Sequence, residues 1–132
     1  MSASLQELIK ASDALKIAHA LLRNALQEAP ENIELHKALR DSCIQRFEFC
    51  VELSWKISIK LLGLDTKARN PAIREMAQNH LIDDPKAWFD FLIARNKTSH
   101  SYDEDVAKEV YKETEKLVPE LDKLLQKLAQ LK

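Results

Sequence analysis

The chain has 132 residues, enough for one domain with a working core, and its 45% hydrophobic and 31% charged content argues against a disordered polymer. One glycine and four prolines are too few for a sheet protein with many tight turns, so long helices are expected. A net charge of -1 argues against an extended electrostatic grip on nucleic acid, while leaving room for a compact site acting on RNA.

Ser4-Leu5-Gln6-Glu7 has the form of a capping box and opens the first helix. Leu8, Leu15 and Leu22 repeat every seven residues, with Ala11, Ala18 and Ala25 beside them, giving one apolar stripe with a small-residue edge. Ala29-Pro30 ends that helix, because proline disfavours helical backbone at the residue before it.

A second helix is expected from about Glu31 to Leu62, with a break near Asp41-Ser42, closing on the single glycine, Gly63. Its polar stripe is narrow: Glu48, Glu52, Lys56 and Lys60. Phe47, Phe49, Cys50, Val51, Leu53, Trp55, Ile57, Ile59 and Leu61 fill most of the remaining circumference. A helix apolar on most sides is covered on more than one side, and a second subunit is the expected source of that cover. Cys43 and Cys50 lie one heptad apart, about 10 Å along a helix axis, whereas a disulfide needs Cα atoms within about 7 Å. Buried structural thiols are expected.

Asn70-Pro71 reads as an N-cap with proline at the first helical position, opening a short helix to about Asn79. Asp84-Pro85 repeats the device for a fourth helix. There Trp88, Phe91 and Leu92 share one face with Arg95, so Arg95 is expected to point toward the packed side or a cleft at its edge. The last helix starts at Asp103-Glu104-Asp105, acids favoured by the helix dipole. Val110, Leu117, Leu124 and Leu131 make one heptad series, Leu121 and Leu128 its partner, and Pro119 is expected to kink or split the helix. The fold class is therefore all-α: an antiparallel up-and-down bundle of about five helices with a four-helix core, one domain over 1–132, dimeric.

No apolar run reaches bilayer-spanning length and no signal-peptide pattern opens the chain, so a cytoplasmic protein without a membrane is expected. One glycine cannot build a phosphate loop, no histidine has a partner at zinc spacing, and no nucleophile elbow occurs. Neither metal nor cofactor is expected. His19, His36 and His80 stand apart, with structural or surface roles.

Reactive side chains gather only in Arg95-Asn96-Lys97-Thr98-Ser99-His100-Ser101-Tyr102, a run that bridges two predicted helices. An Arg and a His five apart are weak evidence alone; Arg74 and His80, six apart, are a decoy within the same chain. A structural account has Arg95 neutralising a helix end, Ser101 or Asp103 capping the next helix, and His100 and Tyr102 packing the corner. The functional account is metal-free work on a phosphodiester. A histidine titrating near neutrality takes a proton from a ribose 2′-OH or gives one to the leaving oxygen, and an arginine holds the phosphate. Asn96 would orient the phosphate or the imidazole.

Arg95-Asn96-x-x-x-His100-x-Tyr102 resembles the signature of HEPN-domain proteins in the version with a trailing tyrosine. Arg46-Phe47-Glu48-Phe49, Glu52-Leu53-x-Trp55-Lys56, Leu81-Ile82-Asp83-Asp84-Pro85-x-x-Trp88 and Tyr102-Asp103-Glu104 look like the subfamily of nucleotidyltransferase substrate-binding proteins. The resemblance implies a dimeric helical bundle encoded beside a minimal nucleotidyltransferase. In toxin–antitoxin members of the family the HEPN subunit is a metal-independent ribonuclease, and the partner attaches AMP to the motif tyrosine. Carried over, Arg95 and His100 are catalytic, Asn96 supports them, and Tyr102 accepts the modification. RNA or a nucleotide or phosphate ligand would then sit in a cleft at the dimer. The alternatives are a non-catalytic subunit that binds substrate for the transferase, and a purely structural bundle.

Overall fold

The computed structural model describes residues 4–100 and 103–131, with side chains at 98–100 outside the description. Five helices follow in order: α1 Leu5–Glu28, α2 Ile33–Leu62, α3 Arg69–Gln78, α4 Pro85–His100 and α5 Glu104–Gln130.

The local signals at three helix starts act as expected. Ser4 and Glu7 close the reciprocal capping box of α1. Asp84 Oδ1 accepts from the Ala87 N–H at 3.1 Å ahead of Pro85, and Asp103 Oδ1 accepts from the Val106 N–H at 2.8 Å. Gly63 ends α2 in the left-handed region, at φ 72, where a side chain would be strained.

Four expectations need correction. No break occurs at Asp41-Ser42; α2 is continuous. Their combined helix-propensity deficit is about 1 kcal/mol. Burying the adjoining Ile44 and Phe47 contributes about 1.5–3 kcal/mol for each side chain. Nor does Pro119 split α5. An interior proline costs about 3 kcal/mol, but Leu117, Leu121 and Leu124 around it are fully buried and outweigh that cost. Asn70 is not the cap of α3: Ala68 holds that place without a side-chain hydrogen bond, and Arg69 is the first helical residue. Pro71 still falls in the first turn, where its missing N–H has no helical partner to lose. Finally, α4 remains helical through His100, so the spacing from Arg95 to His100 lies inside one helix.

Cross-links set the helix directions. Ala14 O accepts from Arg46 Nη1 at 2.7 Å, Lys16 pairs with Asp122 at 2.8 Å, and Lys97 pairs with Glu109 at 2.8 Å. With Arg40 on Glu104 at 2.6 Å, these place α1 and α4 antiparallel to α2 and α5, an up-and-down four-helix arrangement with α3 as a short brace. α2 touches all four other helices. Its own chain therefore covers most of its apolar circumference, and its burial requires no second subunit, though Phe49 remains 56% exposed. Phe47, Trp88 and Phe91 meet edge to face, with ring centroids 6.2 Å apart for Phe47 and Phe91 and 5.2 Å for Trp88 and Phe91. These rings form part of the core shared by α2 and α4. Among the described residues, no helix is long and apolar enough to cross a membrane.

Candidate active site

Arg95 is the described centre of the site. The same register that buries Trp88, Phe91 and Leu92 carries Arg95 against α2, where its side chain is 26% exposed. A guanidinium in that position needs a counter-charge, and Glu52 supplies it: Arg95 Nη2 lies 2.9 Å from Glu52 Oε1. Arg95 Nη1 also approaches Asn96 Oδ1 at 3.4 Å.

Glu52 is a hub. Its Oε1 accepts from Arg69 Nε at 3.0 Å and lies 2.8 Å from Arg69 Nη2, while its Oε2 accepts from Trp55 Nε1 at 2.8 Å. Burial works against ionisation of this carboxyl. The hydrogen bonds from Arg69 and Trp55 and the charges of Arg95 and Arg69 outweigh it and hold the group below the usual carboxylate range. Glu52 thus fixes two guanidiniums, from α3 and α4, beside one another.

Glu52, Trp55 and Arg69 line an open cleft of about 650 Å³ between α2, the start of α3 and the end of α4. Asn96 lines it, together with Lys56, Lys67, Arg69 and Trp55. Lys56 Nζ stands 5.7 Å from the Trp55 ring centroid, a cation–π contact on the cleft wall.

Of the two described residues that sequence reasoning singled out, Asn96 lines this cleft, and Arg95 contacts both Asn96 and the Glu52 carboxylate that lines it. The His100 side chain and all of Tyr102 lie outside the described residues. At the level of the backbone, five residues of helix put about 140° and 7.5 Å between positions 95 and 100. Two ion pairs hold the flanks of that segment: Lys97 to Glu109, and Arg40 to Glu104. Asp103 caps α5, as the structural account of the junction anticipated. Arg40 and Arg69 were not singled out from sequence. No local signal points to Arg69, because which residue meets the second side of Glu52 depends on which helix lies opposite.

The remaining candidates are structural. His19 is buried, its Nε2 2.9 Å from Thr114 Oγ1. Thr114 gives its one proton to Tyr111 O at 2.8 Å, so it accepts from His19 Nε2–H. His36 Nε2 lies 2.8 Å from Ala29 O at the end of α1. His80 occupies the turn after α3 at φ 62, and the decoy partner Arg74 lies over the Phe89 ring. Cys43 and Cys50 are free and buried, and burial is the first cause raising their thiols to about 11 and about 12. Among the described residues, no cluster of three or more His, Cys, Asp or Glu side chains could hold a metal ion.

Fold and site together define an all-helical bundle of the HEPN type, with the motif arginine and asparagine near the end of α4. Residues 9–130 match the family described as nucleotidyltransferase substrate binding protein like, and the chain belongs to that family. It is 34% identical over 95 residues to the probable ribonuclease HepT of Haemophilus influenzae, covering 66% of this chain and 65% of the relative's length. The chain thus spans just under two thirds of that curated relative. A solved Haemophilus influenzae structure, described as revealing the fold of a substrate binding domain of a nucleotidyltransferase, superposes with a TM-score of 0.84 at 27% identity. That likeness covers 95% of this chain and 98% of the other.

Proposed function

We propose that the chain is the HEPN subunit of a pair with a separate minimal nucleotidyltransferase, and that it is a metal-independent endoribonuclease toxin silenced by modification of Tyr102. The observation that carries this reading is Arg95, held by Glu52 next to the cleft-lining Asn96, in a sequence that continues to His100 and Tyr102 in the motif order. The likeness to a probable ribonuclease supports it.

Arg95 binds the scissile phosphate and stabilises the charge that develops on its oxygens. His100 takes the proton from the ribose 2′-OH as that oxygen attacks phosphorus, and a proton is delivered to the departing 5′-oxygen. The products are a 2′,3′-cyclic phosphate and a 5′-hydroxyl. Asn96 orients the phosphate. Transfer of AMP from ATP to the Tyr102 oxygen by the partner, with pyrophosphate leaving and the phenolic proton lost, would place a bulky anion two residues from His100 and block the site. We read the protein as a cytoplasmic single HEPN-like domain over 1–132 that acts as a homodimer with two junctions along one cleft. The angular offset between positions 95 and 100 suits a cleft built from two copies, and Ile93, 55% exposed seven residues before His100, supplies apolar surface there.

The test is RNA cleavage in EDTA by the protein and its Arg95→Ala and His100→Ala variants, with intact mass recorded to establish the state of Tyr102. Loss of cleavage in both variants supports the reading; no cleavage by unmodified protein across several RNAs overturns it. The second reading, a non-catalytic subunit that binds a nucleotide or phosphate ligand for the transferase, draws support from the family description. It predicts ligand binding that depends on Arg95 without any cleavage.

A further inference from the structure

We propose that the cleft between α2, the start of α3 and Asn96 is a second phosphate subsite, which holds the RNA backbone next to the phosphate bound by Arg95. The proposal rests on the reading above in taking RNA as the ligand, but not on its being cleaved.

The cleft is continuous with the motif, because Asn96 forms part of its wall while its neighbour Arg95 shares the Glu52 carboxylate with Arg69. Three cationic side chains line it, Lys56, Lys67 and Arg69, against one carboxylate, Glu52. That carboxylate is already engaged by Arg69, Arg95 and the Trp55 indole, so little of its charge faces the cleft. In a chain of net charge -1 this is a local excess of positive charge. Lys56 and Lys67 are both exposed, so their ammonium groups are accessible to a ligand. The first turn of α3, from Ala68 to Pro71, borders the same space, and no side chain caps it. At about 650 Å³ the cleft takes a nucleotide-sized group, and its open form suits a strand that passes through. Ammonium and guanidinium groups suit backbone contacts, and Trp55 is too deeply buried to offer a stacking face. The subsite therefore adds affinity and register without choosing a base.

Counterion release gives the test. For single strands, log Kobs falls with log salt by about 0.7 for each phosphate contact. A labelled, uncleavable 2′-O-methyl oligouridylate is titrated at several salt concentrations with the wild-type protein, with Lys56→Ala/Lys67→Ala, and with a control pair, Lys10→Ala/Lys127→Ala. The control lysines are exposed and lie outside the cleft. All four positions are on the surface, and circular dichroism confirms folding. The expected result is a slope shallower by about 1.4 for the cleft pair, with the control pair close to wild type. Equal slopes for the two pairs, or no binding by wild type at low salt, overturn the subsite. A slope change specific to the cleft pair, in a protein that cleaves no RNA, leaves the subsite standing and removes the ribonuclease reading instead. Cleavage with equal slopes does the reverse.

Discussion

Glu52 Oε1 stands 2.9 Å from Arg95 Nη2, so the motif arginine at the end of α4 is held by a carboxylate more than forty residues earlier in the chain. Glu52 touches no substrate in the proposed reaction and acts through Arg95. Glu52→Gln keeps the shape but removes the charge that aligns the guanidinium. Cleavage is expected to fall roughly 10- to 100-fold, in line with the cost of a small misplacement of a catalytic group. The urea midpoint should drop by the equivalent of about 1–3 kcal/mol. The folded carboxyl ionises below its ordinary range, so its stabilisation is present at neutral pH and lost as pH falls through the folded value. Glu52→Gln should therefore show a weaker acid dependence than wild type. Unchanged cleavage by a folded variant would remove Glu52 from the site.

His19 makes a separate pH prediction. Desolvation is the largest cause lowering its folded pKa below 6.5; Glu115 opposes this and Arg23 adds to it. Between the folded value and 6.5 the unfolded chain binds more protons than the folded one, so stability rises with pH there and is fully present above 6.5. Urea midpoints measured down through this window should fall for wild type and fall less for His19→Gln. Parallel curves would show that His19 does not titrate on unfolding.

At His80 the left-handed backbone is the source of strain, with φ at 62. Removing the Cβ relieves it, so His80→Gly is expected to stabilise the fold by about 1 kcal/mol. RNA cleavage should be unaltered, since this histidine belongs to the decoy spacing. A loss of activity in a stabilised variant would bring the turn after α3 into the functional account.

The two thiols should be silent. With ionisation raised to about 11 at Cys43 and about 12 at Cys50, the thiolate fraction at neutral pH is negligible. A thiol reagent at pH 7 should label neither in the native protein and both in denaturant. Rapid labelling under native conditions would mean that α2 opens locally.

Much of the fold was legible because its signals are local. The capping box at Ser4, the Asp84-Pro85 start, the Gly63 stop and the heptads of α1 and α5 each rest on chemistry within a turn or two. The errors arose where tertiary burial outweighs local preference. The break expected at Asp41-Ser42 does not occur, nor does α5 split at Pro119, because apolar contacts on either side hold each helix together, and the dimer inferred from α2 loses that argument because four helices of the same chain surround it. At the site, periodicity alone placed Arg95 on the packed face. It could not supply Arg69 or the double use of Glu52, because those depend on which helix lies opposite, and that is long-range information.

The sharing of one carboxylate between two arginines has a consequence for how an anion enters. Pulling a lone arginine away from a half-buried acid strands a negative charge, and that penalty opposes loading of the site. Here Arg69 and Trp55 also hold Glu52, so in the proposed reaction a small shift of Arg95 toward a phosphate leaves the acid with two other donors. The acid is never left without donors. In that reading Arg95 stays aligned by Glu52 while yielding part of the contact to the phosphate, at little electrostatic cost.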